Sequence, residues 1–354
     1  MSSRQPEMPN IDDWVNRYEG KGEFATDETL QPQETPPGRL VSSVQNTVSI
    51  GVNGTQKQYG RWDQYRYAAQ ELSVLMPEFI SVHYLRQAGR ESLEPHPIVR
   101  LGIDDVVYDT GVDPSIIVPE TELPLDFGSA VEYVESGGAH QDKYILEKTG
   151  VKKLILPVNP LALSGEEWFT NADQIFYILP KLREIMPDID LGVRLRANQD
   201  TGYVRHIDDS PSAIATVGIA EQADFVLTQG LEGVHQFKSL KRILELARVE
   251  TPVIPSIDIK KSLDIFNERQ IGNFSRRSLE KAGITIDEPL AARLYELAWQ
   301  GEPGTSQEIN QILEEYYTRM AIGLAEVGSG KVHLNSNNHV RTTTRIAKAI
   351  IESF

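Results

Sequence analysis

Short apolar runs recur along this chain, and a longer segment of helical character follows each of them. The runs are nearly continuous in Val, Ile and Leu, which is typical of strands that are buried on both faces. Eight of them occur, at residues 47–52, 79–84, 115–118, 153–158, 190–195, 224–228, 252–257 and 331–334. Eight buried strands that alternate with helices predict an α/β fold, a closed parallel (β/α)8 or TIM barrel. A doubly wound open sheet is the alternative that this pattern leaves.

The segments between the runs carry apolar residues at helical spacing. These stripes predict amphipathic helices at residues 62–75, 172–186 and 236–247, and a final helix at 340–351. The long connection between residues 265 and 327 predicts a helical insertion before the last strand, with helices at 289–299 and 307–327. Residues 1–45 are too polar to bury much apolar area, so they predict a disordered N-terminal tail. We therefore expect the barrel domain over residues 46–354.

The charge balance is strongly acidic. The 354 residues include 35 Lys and Arg against 51 Asp and Glu, a formal net charge of -16. Such a charge repels phosphate backbones and anionic lipid, so we expect neither nucleic acid nor a membrane as a partner. Cysteine is absent, which excludes disulfides, thiolate metal sites and cysteine nucleophiles. The sequence has no secretory signal and no run of about 18 apolar residues, which predicts a cytoplasmic protein.

The residues that follow the predicted strands form the expected site, because active sites of such barrels lie at the carboxyl ends of the strands. These positions are polar and mixed, and their spacing is not that of metal ligands, so no metal is predicted. Phosphate-loop, dinucleotide-binding and serine-hydrolase motifs are absent. In chain order the ring contains Gly51, Asn53, His83, Tyr84, Glu120, Asn159, Arg194, Arg196, Gln229, Ser256, Asp258, Asn335 and Asn337.

Four of the predicted strands resemble strands of the methylenetetrahydrofolate reductase family, a family of FAD-linked reductase barrels. Residues 223–229 read ADFVLTQ, similar to the family's A-D-F-I-I-T-Q, and residues 251–257 read TPVIPSI, similar to C/V-P-I-I-P-G-I. Residues 76–84, MPEFISVHY, resemble P-D-F-V-S-V-T-Y, and residues 332–338, VHLNSNN, resemble the family's last strand. The order and spacing of these segments agree with the family over residues 47–352.

This resemblance implies a divergent oxidoreductase of one-carbon metabolism, in the route to methionine. Members of the family pass hydride from NAD(P)H through FAD to the methylene group of methylenetetrahydrofolate, and the protein supplies orientation and electrostatics. The implied substrate is a methylene-pterin or folate and the implied donor is NAD(P)H. FAD is the implied cofactor, with direct hydride transfer from the nicotinamide as the alternative.

Several positions depart from the family's pattern. Gly51 falls where the family's F-E-F-F-P-P run has its proton-donating Glu, and Asn159 falls where L-R-G-D-P has its Asp. Pro157 replaces the Arg of that second run, and Gly218 replaces a Lys that meets the flavin phosphates. Losing the Glu removes the expected general acid, because glycine has no titratable group. Losing the two cations weakens the implied diphosphate binding.

The catalytic roles that the resemblance implies fall on His83, Glu120 and Asn159. His83 stands where the family has Thr, and it is predicted to line the reacting edge together with Asn159. Both residues are also predicted to contact the cofactor. Either Glu120 or His83 is predicted to replace the missing acid.

The binding roles fall on the later strands. Gln229 matches the family's folate-contacting glutamine, and Ser256 and Asn159 are predicted to bind the substrate beside it. Arg194 and Arg196 replace the family's A-G-Y-P. They are predicted to bind the cofactor's phosphate or a glutamate tail, because Arg meets such anions bidentately.

Two other functions stay open at this point. A barrel of the same ancestry that has lost its flavin chemistry would act as a lyase or a methyl-transfer enzyme. A barrel that has lost catalysis altogether would act as a partner subunit of another reductase. A homo-oligomer is equally open, since the inserted helices offer faces that two subunits can share.

Overall fold

The computed structural model describes twelve segments of the chain, and its strands form one closed barrel. The segments are residues 48–53, 62–84, 112–121, 127–157, 165–195, 211–231, 233–259, 293–294, 297, 305–328, 330–336 and 339–354. Eight parallel strands pair in chain order, and the last strand pairs with the first. The predicted (β/α)8 barrel is therefore confirmed. The predicted tail, and most of the predicted helix at 289–299, lie outside the described residues.

The eight strands agree closely with the apolar runs of the sequence. They are β1 Val48–Asn53, β2 Ile80–Tyr84, β3 Ile117–Thr121, β4 Lys153–Pro157, β5 Asp190–Leu195, β6 Phe225–Gly230, β7 Val253–Asp258 and β8 Val332–Asn335.

Helices follow the strands along the described part of the chain. They are α1 Trp62–Ser73, α2 Phe127–Glu135, α3 Gly138–Thr149, α4 Gly165–Ile185, α5 Pro211–Gln222, α6 Val234–Leu246, α7 Thr305–Val327 and α8 Val340–Ser353. The helix α7 confirms the predicted helix at residues 307–327 before β8; of the remainder of the predicted insertion, the structure describes only residues 293–294 and 297. No helix among the described residues is both long and apolar enough to span a membrane.

Alternate residues of each strand serve two different cores. The outward side chains, such as Ile80, Leu154 and Val226, belong to the large core between the barrel and its helices. The inward side chains form a separate apolar cluster inside the barrel. Since both faces of these strands are covered, each of them needs apolar residues at successive positions. This is why the runs in the sequence do not alternate with polar residues.

The inner cluster closes the barrel near the amino ends of its strands. It contains Phe79, Val118, Ile155, Phe225, Leu227 and Ile254. The Phe79 and Phe225 rings lie 6.1 Å apart, centroid to centroid, and Gly192 of β5 leaves room for the second ring. A Cβ atom at Gly192 would lie 2.7 Å from Cε1 of Phe225 and closer still to Cζ. The base of the barrel is thus a packed plug and not a pore.

The beginning of β3 differs from the prediction. The sequence predicts a strand from residue 115, but Pro114–Ile116 form a short 3-10 helix and the strand begins at Ile117. The Asp113 side chain caps this turn, because its Oδ1 accepts the backbone N–H of Ser115 at 2.9 Å. That hydrogen bond lowers the pKa of Asp113. A proline beside a capping aspartate favours a turn over an extended chain.

We predict that Gly192→Ala destabilises the barrel. The added methyl group must displace the Phe225 ring within a closely packed interior, which should lower the free energy of unfolding by about 1–3 kcal/mol. Urea denaturation measures this loss. The double variant Gly192→Ala/Phe225→Leu removes the overlap and should recover a good part of it. Equal stability of Gly192→Ala and the unmodified chain would contradict the packing described here.

Candidate functional site at the carboxyl ends of the strands

The inward side chains change from apolar to polar along the barrel axis. In (β/α)8 barrels, alternate strands contribute to each interior layer. The register of the strand pairs puts Glu120 of β3, Arg194 of β5 and Ser256 of β7 in one layer, with Gly51 of β1 at the matching position. This layer lies on the carboxyl side of the apolar plug. It is the floor of the candidate site.

An ion pair crosses this floor. The guanidinium of Arg194 makes two hydrogen bonds to the carboxylate of Glu120: Nε donates to Oε2 at 3.1 Å, and Nη2 donates to Oε1. Glu120 is 0% exposed and Arg194 is 5% exposed. A bidentate pair satisfies both partners in a fixed plane, which is the arrangement that makes buried charges tolerable. The ion pair therefore joins β3 to β5 across the barrel interior.

A histidine lies one layer below the floor. His333 of β8 is fully buried and stacks on Phe79, with ring centroids 5.7 Å apart. Its Nε2 lies 3.4 Å from Oγ of Ser81, within hydrogen-bonding distance. The histidine of β8 thus belongs to the packed interior beside the aromatic plug. Its position is that of a structural residue.

The β6–β7 pairing is irregular just before the strands end. The register shifts between Leu227 and Gly230. At this point a side chain replaces a backbone acceptor, because Oγ1 of Thr228 accepts the backbone N–H of Ser256 at 2.8 Å. Leu231 N donates to the carbonyl of Ser256 at 2.9 Å. Such bulges re-aim side chains and are common beside active sites. Here the bulge leaves the backbone of Ser256 fully bonded.

Beyond the bulge, Asp258 and Asn335 form a second polar pair. Asn335 Nδ2 donates to Asp258 Oδ1 at 2.8 Å, and the two residues are register partners on β7 and β8. The carboxylate lies against Gly230, where a Cβ atom would be 2.6 Å from Asp258 Cγ. Glycine at this position therefore lets the carboxylate approach the end of β6.

Two side-chain oxygens of this region have no hydrogen-bond partner. Ser256 Oγ and Asn335 Oδ1 are both buried and unpartnered in the described structure. A buried polar atom without a partner costs free energy, and native proteins retain few of them. Both oxygens lie near the ends of β7 and β8. The region can therefore accept hydrogen bonds from a group that enters the mouth of the barrel, the open end formed by the carboxyl ends of its strands.

The structure brings together some of the predicted site residues. Glu120 and Arg194, predicted for different roles, bond to each other, and Ser256 lies in their layer. His83 and Gln229 are the second-to-last residues of β2 and β6, where their backbones are described and their side chains are not. Asn159 and Arg196 lie outside the described residues, so their roles remain predictions.

The pairing of Asp258 with Asn335 was not predicted from the sequence. The sequence places both residues at strand ends and assigns a role to neither. Each follows a buried strand directly, which is the signal that places a side chain at the mouth. That the two meet depends on the β7–β8 register, which no local pattern reports.

Among the described residues, no group of three or more His, Asp and Glu side chains could hold a metal ion.

Comparison with known proteins finds distant structural similarity. No protein-family model matches the chain, and no curated protein matches it either. A GH18 chitinase from Pseudoalteromonas aurantia is similar at 10% identity and a TM-score of 0.48, covering 85% of this chain and 99% of that one. A GH113 beta-1,4-mannanase is similar at 12% identity and a TM-score of 0.48, covering 88% of this chain and 99% of that one. A putative deoxyribose-phosphate aldolase from Toxoplasma gondii ME49 is similar at 12% identity and a TM-score of 0.41, covering 88% of this chain and 94% of that one. Likenesses of this size say nothing about activity.

We predict that removing one partner of the floor ion pair lowers the free energy of unfolding much more than replacing both partners with apolar residues. Glu120→Ala leaves a buried guanidinium unpaired and should lower the free energy of unfolding by about 3–5 kcal/mol. The double variant Glu120→Leu/Arg194→Met removes both charges and should lose much less, as measured by urea denaturation. The control is Asp190→Asn, which breaks the exposed Lys153–Asp190 pair and should cost about 0–1 kcal/mol. Equal losses for Glu120→Ala and the control would contradict a desolvated pair.

Proposed function

We propose that this chain is a divergent methylenetetrahydrofolate reductase-like enzyme, which reduces a methylene group on a pterin or folate at the carboxyl end of the barrel. The observation that carries the proposal is the arrangement of the strands that resemble the family. These strands, β6, β7, β8 and β2, form one continuous arc of the barrel wall with β1 between β8 and β2. The unpartnered oxygens of Ser256 and Asn335 lie on this same arc.

The proposed reaction is a hydride transfer from NAD(P)H to a carbon that is bound to two nitrogens. The nicotinamide gives up hydride and is oxidised, and the methylene carbon accepts the hydride and becomes a methyl group. The bond from that carbon to the second nitrogen, N10, breaks, and N10 takes a proton. The enzyme must therefore hold the two rings face to face and supply one general acid.

His83 is the proposed acid. The alternative, Glu120, accepts two hydrogen bonds from Arg194 at the barrel floor, and a carboxylate held in this way acts as an acceptor. His83 is the register partner of Glu120 on β2 and lies near the carboxyl end of its strand. An imidazole titrates close to neutral pH, which suits proton donation to an amine.

The described residues do not fit the FAD that the resemblance implies. Arg194 is committed to Glu120 and cannot meet a diphosphate without breaking a buried ion pair. Gly218, at the position of the family's phosphate-binding lysine, is buried within α5 and has no side chain to offer. A resident flavin needs lasting diphosphate contacts, whereas a co-substrate binds and leaves. We therefore propose direct transfer from NAD(P)H, with Arg196 as the cation for its phosphates and Asn159 at the reacting edge.

An absorbance spectrum and a turnover assay test this proposal. We expect no flavin bands between about 300 and 550 nm in the purified protein, and consumption of NADH or NADPH at 340 nm only when methylenetetrahydrofolate is present. Flavin bands that survive dialysis would overturn direct transfer and leave a flavin-dependent reductase. A chain that never consumes the nicotinamide, with or without added FAD, would overturn the reductase itself.

We predict that Gln229→Ala impairs this turnover. Loss of one hydrogen-bonding amide at the substrate should lower kcat/KM by about 10- to 100-fold, through KM more than kcat. The control is Gln307→Ala, which changes an exposed glutamine in the first turn of α7 and should leave the kinetics unchanged. Equal kinetics for the two variants would remove Gln229 from the substrate site.

A further inference from the structure

We infer that Ser256, Asp258 and Asn335 form a hydrogen-bond acceptor site for an edge with adjacent N–H donors, such as the 2-amino-4-oxopyrimidine ring of a pterin. This inference rests on the proposed function, and it names the part of the substrate that β7 and β8 would bind. The resemblance to the reductase family assigns no role to Asp258 or Asn335. The strand ends of β7 and β8 carry hydrogen-bond acceptors that no group of the described structure uses.

The orientation of the Asn335 amide is fixed by its neighbour. Its Nδ2 donates to Asp258 Oδ1 at 2.8 Å, and the reverse orientation would place two acceptor oxygens together. The amide oxygen therefore points elsewhere, and it is buried without a partner. This oxygen can accept hydrogen bonds only from a donor that the described structure does not contain.

Ser256 contributes a second unused acceptor. Its side chain is 0% exposed, and its Oγ has no partner. The backbone around it is already satisfied, because Thr228 accepts its N–H and Leu231 donates to its carbonyl. The carbonyl of Asn335 likewise accepts the N–H of Ile259 at 2.9 Å. The two orphan oxygens are therefore not needed for the strand ladder.

The charge of the site selects donors over acceptors. Asp258 adds a carboxylate, whose oxygens only accept hydrogen bonds when ionised, and it is partly exposed at the end of β7. Gly230 lets this carboxylate lie against the end of β6. A phosphate or a glutamate tail would be repelled here. A planar edge with an amino group next to a ring N–H meets a carboxylate in the same two-point manner as arginine does.

Binding of two matched compounds tests the site. The compounds are folate and its analogue with oxygen in place of the 2-amino group, measured by titration calorimetry with the unmodified chain and three variants. The unmodified chain should bind folate at least about 10-fold more tightly than the analogue, because the analogue turns an acceptor toward Asp258. Asp258→Asn offers an amide N–H at the same place, so the preference should disappear or reverse, with folate weakened about 10- to 100-fold.

Ser256→Ala separates a binding role from a structural one. Removing an unpartnered buried hydroxyl should leave the melting temperature of the free protein unchanged or higher, while folate binding weakens about 5- to 10-fold. Asp190→Asn, at the opposite end of the barrel, is the control and should change neither affinity.

The outcomes for this site and for the proposed function are distinguishable. If Asp258→Asn and Ser256→Ala bind both compounds as the unmodified chain does, the acceptor site is wrong, although reductase turnover would still uphold the proposed function. If the unmodified chain binds the two compounds equally or binds neither, the acceptor site is also wrong. The turnover assay alone then decides whether the chain is a reductase.

Discussion

The ion pair between Glu120 and Arg194 divides the barrel interior into a packed half and a polar half. Two charges removed from water must satisfy each other closely, and the bidentate geometry does so between strands that are not neighbours in the sheet. Below them the aromatic plug fills the barrel. On their carboxyl side the strand ends of β7 and β8 carry side-chain oxygens without partners. The pair is therefore the boundary between the residues that hold the fold and those that can meet a ligand.

The two ends of the barrel differ in whether their polar side chains are paired. At the amino ends, Lys153 of β4 pairs with Asp190 of β5, and Lys331 before β8 pairs with Glu78 before β2, so that these charges neutralise each other near solvent. At the carboxyl ends, Ser256 and Asn335 keep acceptors unused. Exposed pairs of the first kind add little stability, and orphan acceptors of the second kind reduce it. This asymmetry is the expected mark of a barrel whose function lies at the carboxyl end.

The ion pair limits the proposed chemistry, because it occupies Arg194 and Glu120. The sequence predicts that Arg194 binds an anion and that Glu120 donates a proton. Because each satisfies the other inside the barrel, neither is free for those tasks. In the proposed reductase, His83 would then be the acid, and Arg196, which follows β5 in the sequence, would be the phosphate partner. The ring of the substrate would in turn be recognised by the acceptors of β7 and β8.

The sequence by itself determined the barrel and most of its strand boundaries, because strands covered on both faces must be apolar throughout and so differ visibly from amphipathic helices. It also determined which residues stand at the strand ends. Only the tertiary structure decided which of these meet. The bonding of Glu120 to Arg194, the bulge between β6 and β7 and the contact of Asp258 with Asn335 depend on the registers between strands. Local periodicity carries no record of register, so these partners emerge only when the barrel closes.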